Sequence, residues 1–308
     1  MRALVATGNQ AAPLEMREVD PPKAAPNEVL IKTRAMSINR GELRLLASRP
    51  AGWRPGQDIA GEVVQPAADG SGPAPGTRVV ALVDQAGWAE QVAVPTSRLG
   101  LLPDTVTFAQ AATLPVAGLT ALRALRLGGT LLGKKVLVTG ASGGVGQFAV
   151  QLAARSGSDV TGTSRTADRA QSLLNSGDVK LITDLDSLQG PYDLILESVG
   201  GESLTAALKH VARDGKVVVF GNSSGQASSI SFGSFAGRAR ATVYAFFVYE
   251  SGEPPTFGAD LSLLASEVAA GRLNPIVGVQ GRWDDPTSAL ESLRERRMEG
   301  KAVLLVDY

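Results

Sequence analysis

The chain has 308 residues, about twice the ~150 of a typical domain, so two domains are expected, and 44% hydrophobic content is ample for a core in each. Thirty basic residues balance thirty acidic ones, which leaves no electrostatic reason to expect nucleic acid or a membrane surface as partner. With no cysteine and one histidine, His210, the chain excludes disulfides, cysteine nucleophiles and a Cys/His zinc site, and no loop has carboxylate spacing for Mg²⁺ or Ca²⁺. No apolar run nears the roughly 18 residues that span a bilayer, and MRALVATGNQ is not the start of a signal peptide, so a cytoplasmic location is expected.

Residues 1 to about 100 read as β-rich, with short strands at Ala3–Ala6, Val29–Ala35, Ile59–Val64, Arg78–Val83 and Ala89–Val94. Turn-forming residues separate them, and Pro66–Gly76 reads as a surface loop. Such a series suggests a small barrel or sandwich. Helices are predicted at Phe108–Ala112 and Val116–Leu127. An alternation follows: strand Val136–Val138, helix Val145–Ala154, strand Val160–Thr163, helix Ala167–Leu174, strands Leu181–Ile182 and Leu194–Leu196, helix Leu204–Val211 and strand Val217–Phe220. Continuous apolar strands separated by helices imply a parallel sheet covered on both faces. The tail adds a strand at Ala241–Val248, helices near Leu261–Ala270 and Pro286–Arg296, and a closing strand, Val303–Val306. The run Arg294–Arg297 reads as a solvated helix end.

The segment VLVTGASGGVGQFAVQLA (136–153) is strand, small-residue turn and amphipathic helix. Gly140, Gly143 and Gly146 let a pyrophosphate approach the backbone and the open N–H groups of a helix start, so Ser142, Gly143, Gly144, Val145 and Gly146 are the predicted dinucleotide cradle. Gly140–Gly144 also fits the G-x-S-x-G elbow of a serine hydrolase, for which His210, placed at a helix end, is the one available base. The T-G-x-x-x-G-x-G turn of short-chain dehydrogenases fits Thr139–Gly146, but none of the four tyrosines has a lysine four residues later. Gly128–Lys135 imitates a phosphate-binding loop yet precedes its strand instead of following it. At the end of the second strand, Ser164 and Arg165 stand where a carboxylate would select NAD, so NADPH is the expected cofactor, with a merely exposed Arg165 as the alternative.

Further motifs run the length of the chain: Ala35–Glu42 against A-x-S-L-N-x-x-D, Gln57–Val64 against G-x-D-x-A-G-x-V, Gly76–Val79 against G-D-R-V, Gly87–Glu90 against G-A-Y-A-E, Leu114–Ala121 against L-P-x-A-G-L-T-A, and Gly300-Lys301 near the end. Glu42 and Gln57 depart from those patterns. The set resembles the medium-chain dehydrogenase/reductase superfamily in its zinc-free quinone oxidoreductase branch. The resemblance implies an α/β protein: a chaperonin-10-like β-barrel domain (1–113 and 265–308) with a Rossmann doubly wound parallel-sheet domain (114–264) inserted, and a cleft between them. It implies NADPH contacts at Asn39, Thr120, Val199, Gly221, Phe246 and Lys301 besides the cradle. Asn39, Arg40 and Trp53 become the candidates that face the acceptor; a turn-capping Asn39, and barrel packing for Trp53 and Trp88, are the alternatives. No tyrosine lies in Leu43–Arg54 to supply a proton. The implied reaction is metal-independent hydride transfer from NADPH to a quinone or activated enone, with a carbonyl reductase or a non-catalytic NADPH-binding protein as alternatives. The aromatic run Ala241–Val248 is expected at a sheet edge, pairing with a second copy to form a homodimer; were it central, Phe246 or Phe247 would face the nicotinamide.

Overall fold

The chain, seen in a computed structural model that describes residues 1–174, 179–251 and 256–306, begins with β1 (Arg2–Ala6), β2 (Leu14–Glu18), β3 (Glu28–Ile38), α1 (Arg40–Ser48), β4 (Asp58–Gln65), β5 (Arg78–Leu82), β6 (Gln91–Pro95), β7 (Leu99–Leu101) and α2 (Phe108–Ala112). A π-helical stretch, Leu114–Gly118, leads into α3 (Leu119–Arg126). Next come β8 (Lys135–Val138), α4 (Gly144–Arg155), β9 (Asp159–Thr163), α5 (Gln171–Leu174), β10 (Val179–Ile182), β11 (Tyr192–Glu197), α6 (Glu202–Leu208), β12 (Val211–Val219) and β13 (Thr242–Ala245). The last elements are α7 (Phe257–Ala269), β14 (Val277–Arg282), α8 (Thr287–Arg294) and β15 (Lys301–Leu305).

The chain divides into unit 1, Met1–Leu119 with Gly252–Tyr308, and unit 2, Thr120–Ser251. In unit 1, strands run β14-β15-β3-β4-β5-β7, with β6 also on β3 and β1-β2 as a separate hairpin. Alternating burial along the first part of β3 sends Val29 and Ile31 inward, and after a register shift between Thr33 and Ala35 Met36 joins them, in a core shared with Trp88, Ile59 and Val79. The register sets Ser37 opposite Asp58 and Ile38 opposite Ala302, so the ends of β3, β4 and β15 converge. In unit 2 the sheet is wholly parallel, in the order β10-β9-β8-β11-β12-β13. The apolar strand centres predicted from sequence, among them Leu137, Ile195 and Val217, are fully buried.

Several elements differ from expectation. The second unit ends before α7, not at residue 264: Leu101 N–H donates to Ser262 Oγ (3.0 Å), and a Cβ on Gly258 would lie 2.3 Å from the Leu99 carbonyl, so α7 is fitted tightly to unit 1. The boundary near residue 114 falls instead at Leu119. The helix predicted at Val116–Leu127 is interrupted by the π stretch, and that at Ala167–Leu174 is a 3₁₀ turn, Asp168–Ala170, followed by α5. The helix predicted to reach Val211 stops at Leu208, because Val211 already pairs with Tyr192. Strands β2, β7 and β14 and helix α1 add to the predicted set. The aromatic run shortens to β13, the edge strand of its sheet, with all four residues exposed.

Candidate active site

In unit 2 the glycine turn has the predicted geometry. Gly140 has φ +62, and a Cβ on Gly146 would lie 2.3 Å from the Gly140 carbonyl, so only glycine lets α4 start this close to β8. The first bond within α4 is Gln147 N–H to Gly143 O (3.1 Å), which leaves the amides of Gly144, Val145 and Gly146 open at the positive end of the helix dipole. Ser142 Oγ and Ser164 Oγ lie 3.1 Å apart and both side chains are buried, with Arg165 exposed beside them. A dinucleotide phosphate fits this surface: open amides at a glycine-rich helix start, and hydroxyls and a guanidinium at the end of β9.

The same sheet edge holds a second feature. Glu197, fully buried at the end of β11, accepts hydrogen bonds at Oε1 from Thr139 Oγ1 (3.0 Å), Ser203 Oγ (3.0 Å) and the amides of Val199 and Gly200 (3.2 Å each). The Gly200 amide also reaches Oε2 at 3.0 Å. The turn after β12 is laced to this one, Ser223 N–H bonding Ser198 O (3.0 Å) and Ser224 N–H bonding Val199 O (2.8 Å). Val199 and Gly221, both predicted, are thereby gathered with the glycine turn: a Cβ on Gly140 would meet Val199 at 3.3 Å, and one on Gly221 would meet Ser198 O at 2.9 Å.

Unit 1 contains a separate polar cluster. Asp58 Oδ2 accepts from Ser37 Oγ (2.6 Å), Asn39 Nδ2 (2.8 Å) and Lys301 Nζ (3.0 Å), and Oδ1 accepts from Val116 N–H (2.9 Å), an amide that the π stretch turns out of its helix. Lys301 Nζ also bonds Asn39 Oδ1. Lysine only donates and a carboxylate only accepts, so the two partners fix the orientation of the Asn39 amide. Glu42, fully buried in the first turn of α1, accepts the Asn39 N–H at Oε2 (2.8 Å). Burial, then the neighbouring Asp58 carboxylate, pushes the Glu42 carboxyl up to about 8, outweighing the Asn39 amide, the Lys301 ammonium and the Gly56 amide, which favour its charged form.

The other expected site residues fall elsewhere. Arg40 is not in this cluster: its Nη2 donates to the Leu293 carbonyl near the C-terminal end of α8 (2.8 Å), where a cation complements the helix dipole. Trp53 packs against the unit 1 core and donates from Nε1 to Gln85 Oε1 (3.0 Å), while Trp88 is fully buried with Nε1 on Ser37 O (3.3 Å). Thr120 is buried in α3, and Phe246 is buried just beyond the edge strand, where Phe247 is 64% exposed. The hydrolase reading fails on topology. His210 Nδ1 accepts from the Gly190 amide (3.3 Å), before β11 and β12 begin, whereas Ser142 follows the end of β8 in the same parallel sheet. Asp58, Ser37 and Glu197 were not singled out by sequence reasoning; for Glu197 a signal exists, an acid ending an apolar strand directly before a glycine-rich turn.

This pairing of a β-rich unit with a parallel Rossmann-type sheet defines a two-domain dehydrogenase/reductase. Residues 25–122 match the alcohol dehydrogenase GroES-like domain family, and residues 144–266 match the family described as zinc-binding dehydrogenase. A chloroplast envelope quinone oxidoreductase homolog of Arabidopsis thaliana is 35% identical over 234 residues, 68% of this chain and 71% of that protein. Prostaglandin reductase-3 of Bos taurus is 32% identical over 229 residues, 68% of this chain and 59% of that one. Among solved structures, the fold is similar to Escherichia coli quinone oxidoreductase complexed with NADPH, at TM-score 0.87 and 24% identity over 99% of this chain and 100% of that chain. The chain belongs to the medium-chain dehydrogenase/reductase superfamily, in its quinone oxidoreductase-like branch.

The name of the second family implies zinc, which the side chains do not fit. The chain has no cysteine and one histidine, and among the described residues no group of three His, Cys, Asp or Glu could hold a metal. No described helix is long and apolar enough to cross a membrane.

The neutral Glu42 gives a signed pH dependence. Its ordinary value is 4.5 and its folded value about 8, so the folded chain holds a proton that the unfolded chain releases, and stability falls as pH rises between those limits. Glu42→Gln cannot ionise and should escape this loss. Urea denaturation at pH 5 and pH 8 should show the variant gaining on the wild type at the higher pH, by on the order of a few kcal/mol. Parallel pH profiles would contradict the assignment.

Proposed function

We propose that this protein is a zinc-independent, NADPH-dependent oxidoreductase that passes hydride to a quinone or an activated enone. The observation that carries the reading is the edge of unit 2, where the open amides of Gly144–Gly146 stand with Ser142, Ser164 and Arg165, the last two at the tip of β9 where a carboxylate would select NAD. Relatives named quinone oxidoreductase and prostaglandin reductase, and a similar fold solved with NADPH, support it.

Bound NADPH would supply the hydride from its nicotinamide ring. The amides at the start of α4 hold the pyrophosphate; Ser164 and Arg165 hold the 2′-phosphate, Arg165 as a forked cationic donor. In unit 1, Asn39 spends one Nδ2 hydrogen on Asp58 and keeps the other to donate to an acceptor carbonyl. Its amide is held on both sides before the acceptor arrives, which is the preorganisation that charge stabilisation requires. Lys301 acts through Asn39 and Asp58.

Titration should show NADPH binding at least about tenfold tighter than NADH, the difference that about 1.4 kcal/mol of phosphate recognition makes. Arg165→Ala should abolish most of that preference by weakening NADPH alone; tighter binding of NADH by the wild type would end the NADPH assignment. A panel of quinones, enones and ketones, run with and without EDTA, then sorts the chemistry. Quinone or enone turnover indifferent to EDTA is expected; turnover of ketones alone would mark a carbonyl reductase, and none at all despite tight NADPH binding a non-catalytic binder.

For Asn39→Ala the expected loss is about 10–100-fold in kcat/KM, the scale of one or two charge-stabilising hydrogen bonds. Unchanged kcat and KM would remove Asn39 from the reaction.

We also propose a homodimer through the β13 edge. Val243 and Tyr244 are 42% and 40% exposed there, and β13 pairs with β12 on one side, leaving a row of backbone groups on the other. A two-fold copy of the same strand would cover both the apolar faces and those groups. Light scattering at micromolar concentration should give twice the chain mass, and Thr242→Pro or Tyr244→Pro should dissociate it. A monomeric wild type would contradict the dimer, and a dimer unaffected by both prolines would place it on another surface.

A further inference from the structure

Glu197 has no part in the reaction as drawn above, yet it is a buried acid with an unusual set of partners. Each group at its two oxygens, the Thr139 and Ser203 hydroxyls and the Val199 and Gly200 amides, can donate, which is the set an ionised carboxylate accepts. Its relative exposure is 0%, and among the described residues no Lys or Arg forms an ion pair with it. Hydroxyl and amide donors surround the carboxylate, and among the described residues no ion-paired cation offsets its field.

Its position gives that field a target. The chain enters the sheet at β8, runs outward through β9 and β10, then crosses back to β11 and continues to β12 and β13. The strand order therefore reverses between β8 and β11, and in such sheets ligands bind outside the carboxyl ends of the strands at that crevice. Thr139, directly after β8, and Glu197, the last residue of β11, face each other across it. With pyrophosphate on the start of α4 and adenosine toward Ser164 beyond β9, the nicotinamide half extends to the β11 side. This placement rests on the NADPH reading.

The dihydronicotinamide ring is neutral; after it gives up a hydride, two electrons and one proton's nucleus, to the acceptor, it carries one positive charge. A carboxylate fixed in low dielectric attracts the second form and not the first. We infer that Glu197 is an electrostatic positioning residue that favours the oxidised, cationic nicotinamide over the reduced one and so draws hydride off the cofactor toward the acceptor. It works through space and touches neither reactant.

The full-length protein tests this with two titrations, NADPH and NADP⁺, followed by protein fluorescence or calorimetry. In Glu197→Gln the ratio Kd(NADP⁺)/Kd(NADPH) should rise about 3–10-fold over wild type, and Glu197→Asp, which keeps the charge, should restore most of it. A purely structural Glu197 would move both constants together; an unchanged ratio overturns the inference. Should Glu197→Gln fail to fold, the wild-type ratio decides: NADP⁺ bound no more weakly than NADPH supports the inference, and NADPH bound more than about tenfold tighter overturns it. Wild-type protein that binds neither nucleotide would strike down the NADPH reading itself, and this inference with it.

Discussion

The ion pair between Asp58 and Lys301 is the contact on which the geometry of unit 1 depends. The two residues lie 243 positions apart, one opening β4 and the other opening β15, with side chains 0% and 3% exposed. Burying both charges is expensive, and their attraction repays it only when the remaining donors and acceptors are satisfied. That condition is met: Ser37, Asn39 and the Val116 amide complete the carboxylate, and Asn39 takes a second bond from the ammonium. Loss of one partner would leave the other charge buried alone, a cost of about 3–5 kcal/mol, whereas an apolar pair of the same volume could be neutral or better. An arrangement that stability alone would not select is thus retained at the residue proposed to meet the acceptor.

Unit 2 meets a different constraint, that of backbone approach. The start of α4 can lie against β8 because nothing projects from Gly146, and β9 can lie under Ala141 because nothing projects from Gly162, where a Cβ would come within 2.8 Å of the Ala141 Cβ. The same absence of side chains that packs helix on sheet clears the space over the α4 amides. Packing and phosphate recognition are therefore one requirement here. Bulk at the Gly146 position would disturb the fold before it disturbed binding.

Much of this was legible in the sequence, for reasons that can be stated residue by residue. The strands of the parallel sheet are continuous apolar runs, and the glycine turn is a local motif whose chemistry does not depend on distant residues. The π stretch hid inside a helical pattern: Pro115 has no N–H to give there, and the partner of the Val116 amide, the Asp58 carboxylate, comes from another element. Arg40 stood beside Asn39 in sequence and was expected beside it in function, yet α8 claims its guanidinium, a contact across 253 positions that no local pattern announces. Strands β2, β7 and β14 were missed because they are short or only partly buried and lack clean apolar alternation. The pairing of Asp58 with Lys301 was likewise beyond reach, although both lie in motifs that sequence reading had marked.

Three buried acids show how far environment, rather than residue type, sets chemical role. Asp58 is balanced by an ammonium and three further donors, so its charge is fixed and largely cancelled. Glu42 lies beside it in the same cluster, where the Lys301 ammonium is already committed to Asp58; burial and the Asp58 charge outweigh that cation, and the carboxyl keeps its proton near neutrality. Glu197 has no ion-paired cation among the described residues but a full complement of hydroxyl and amide donors. Dipoles can hold an anion while leaving its field uncancelled a few ångströms away, which a salt bridge cannot do. A protein that must act on a distant charge without contacting it therefore has reason to build its acid into a turn of amides, at the point where the strand order reverses.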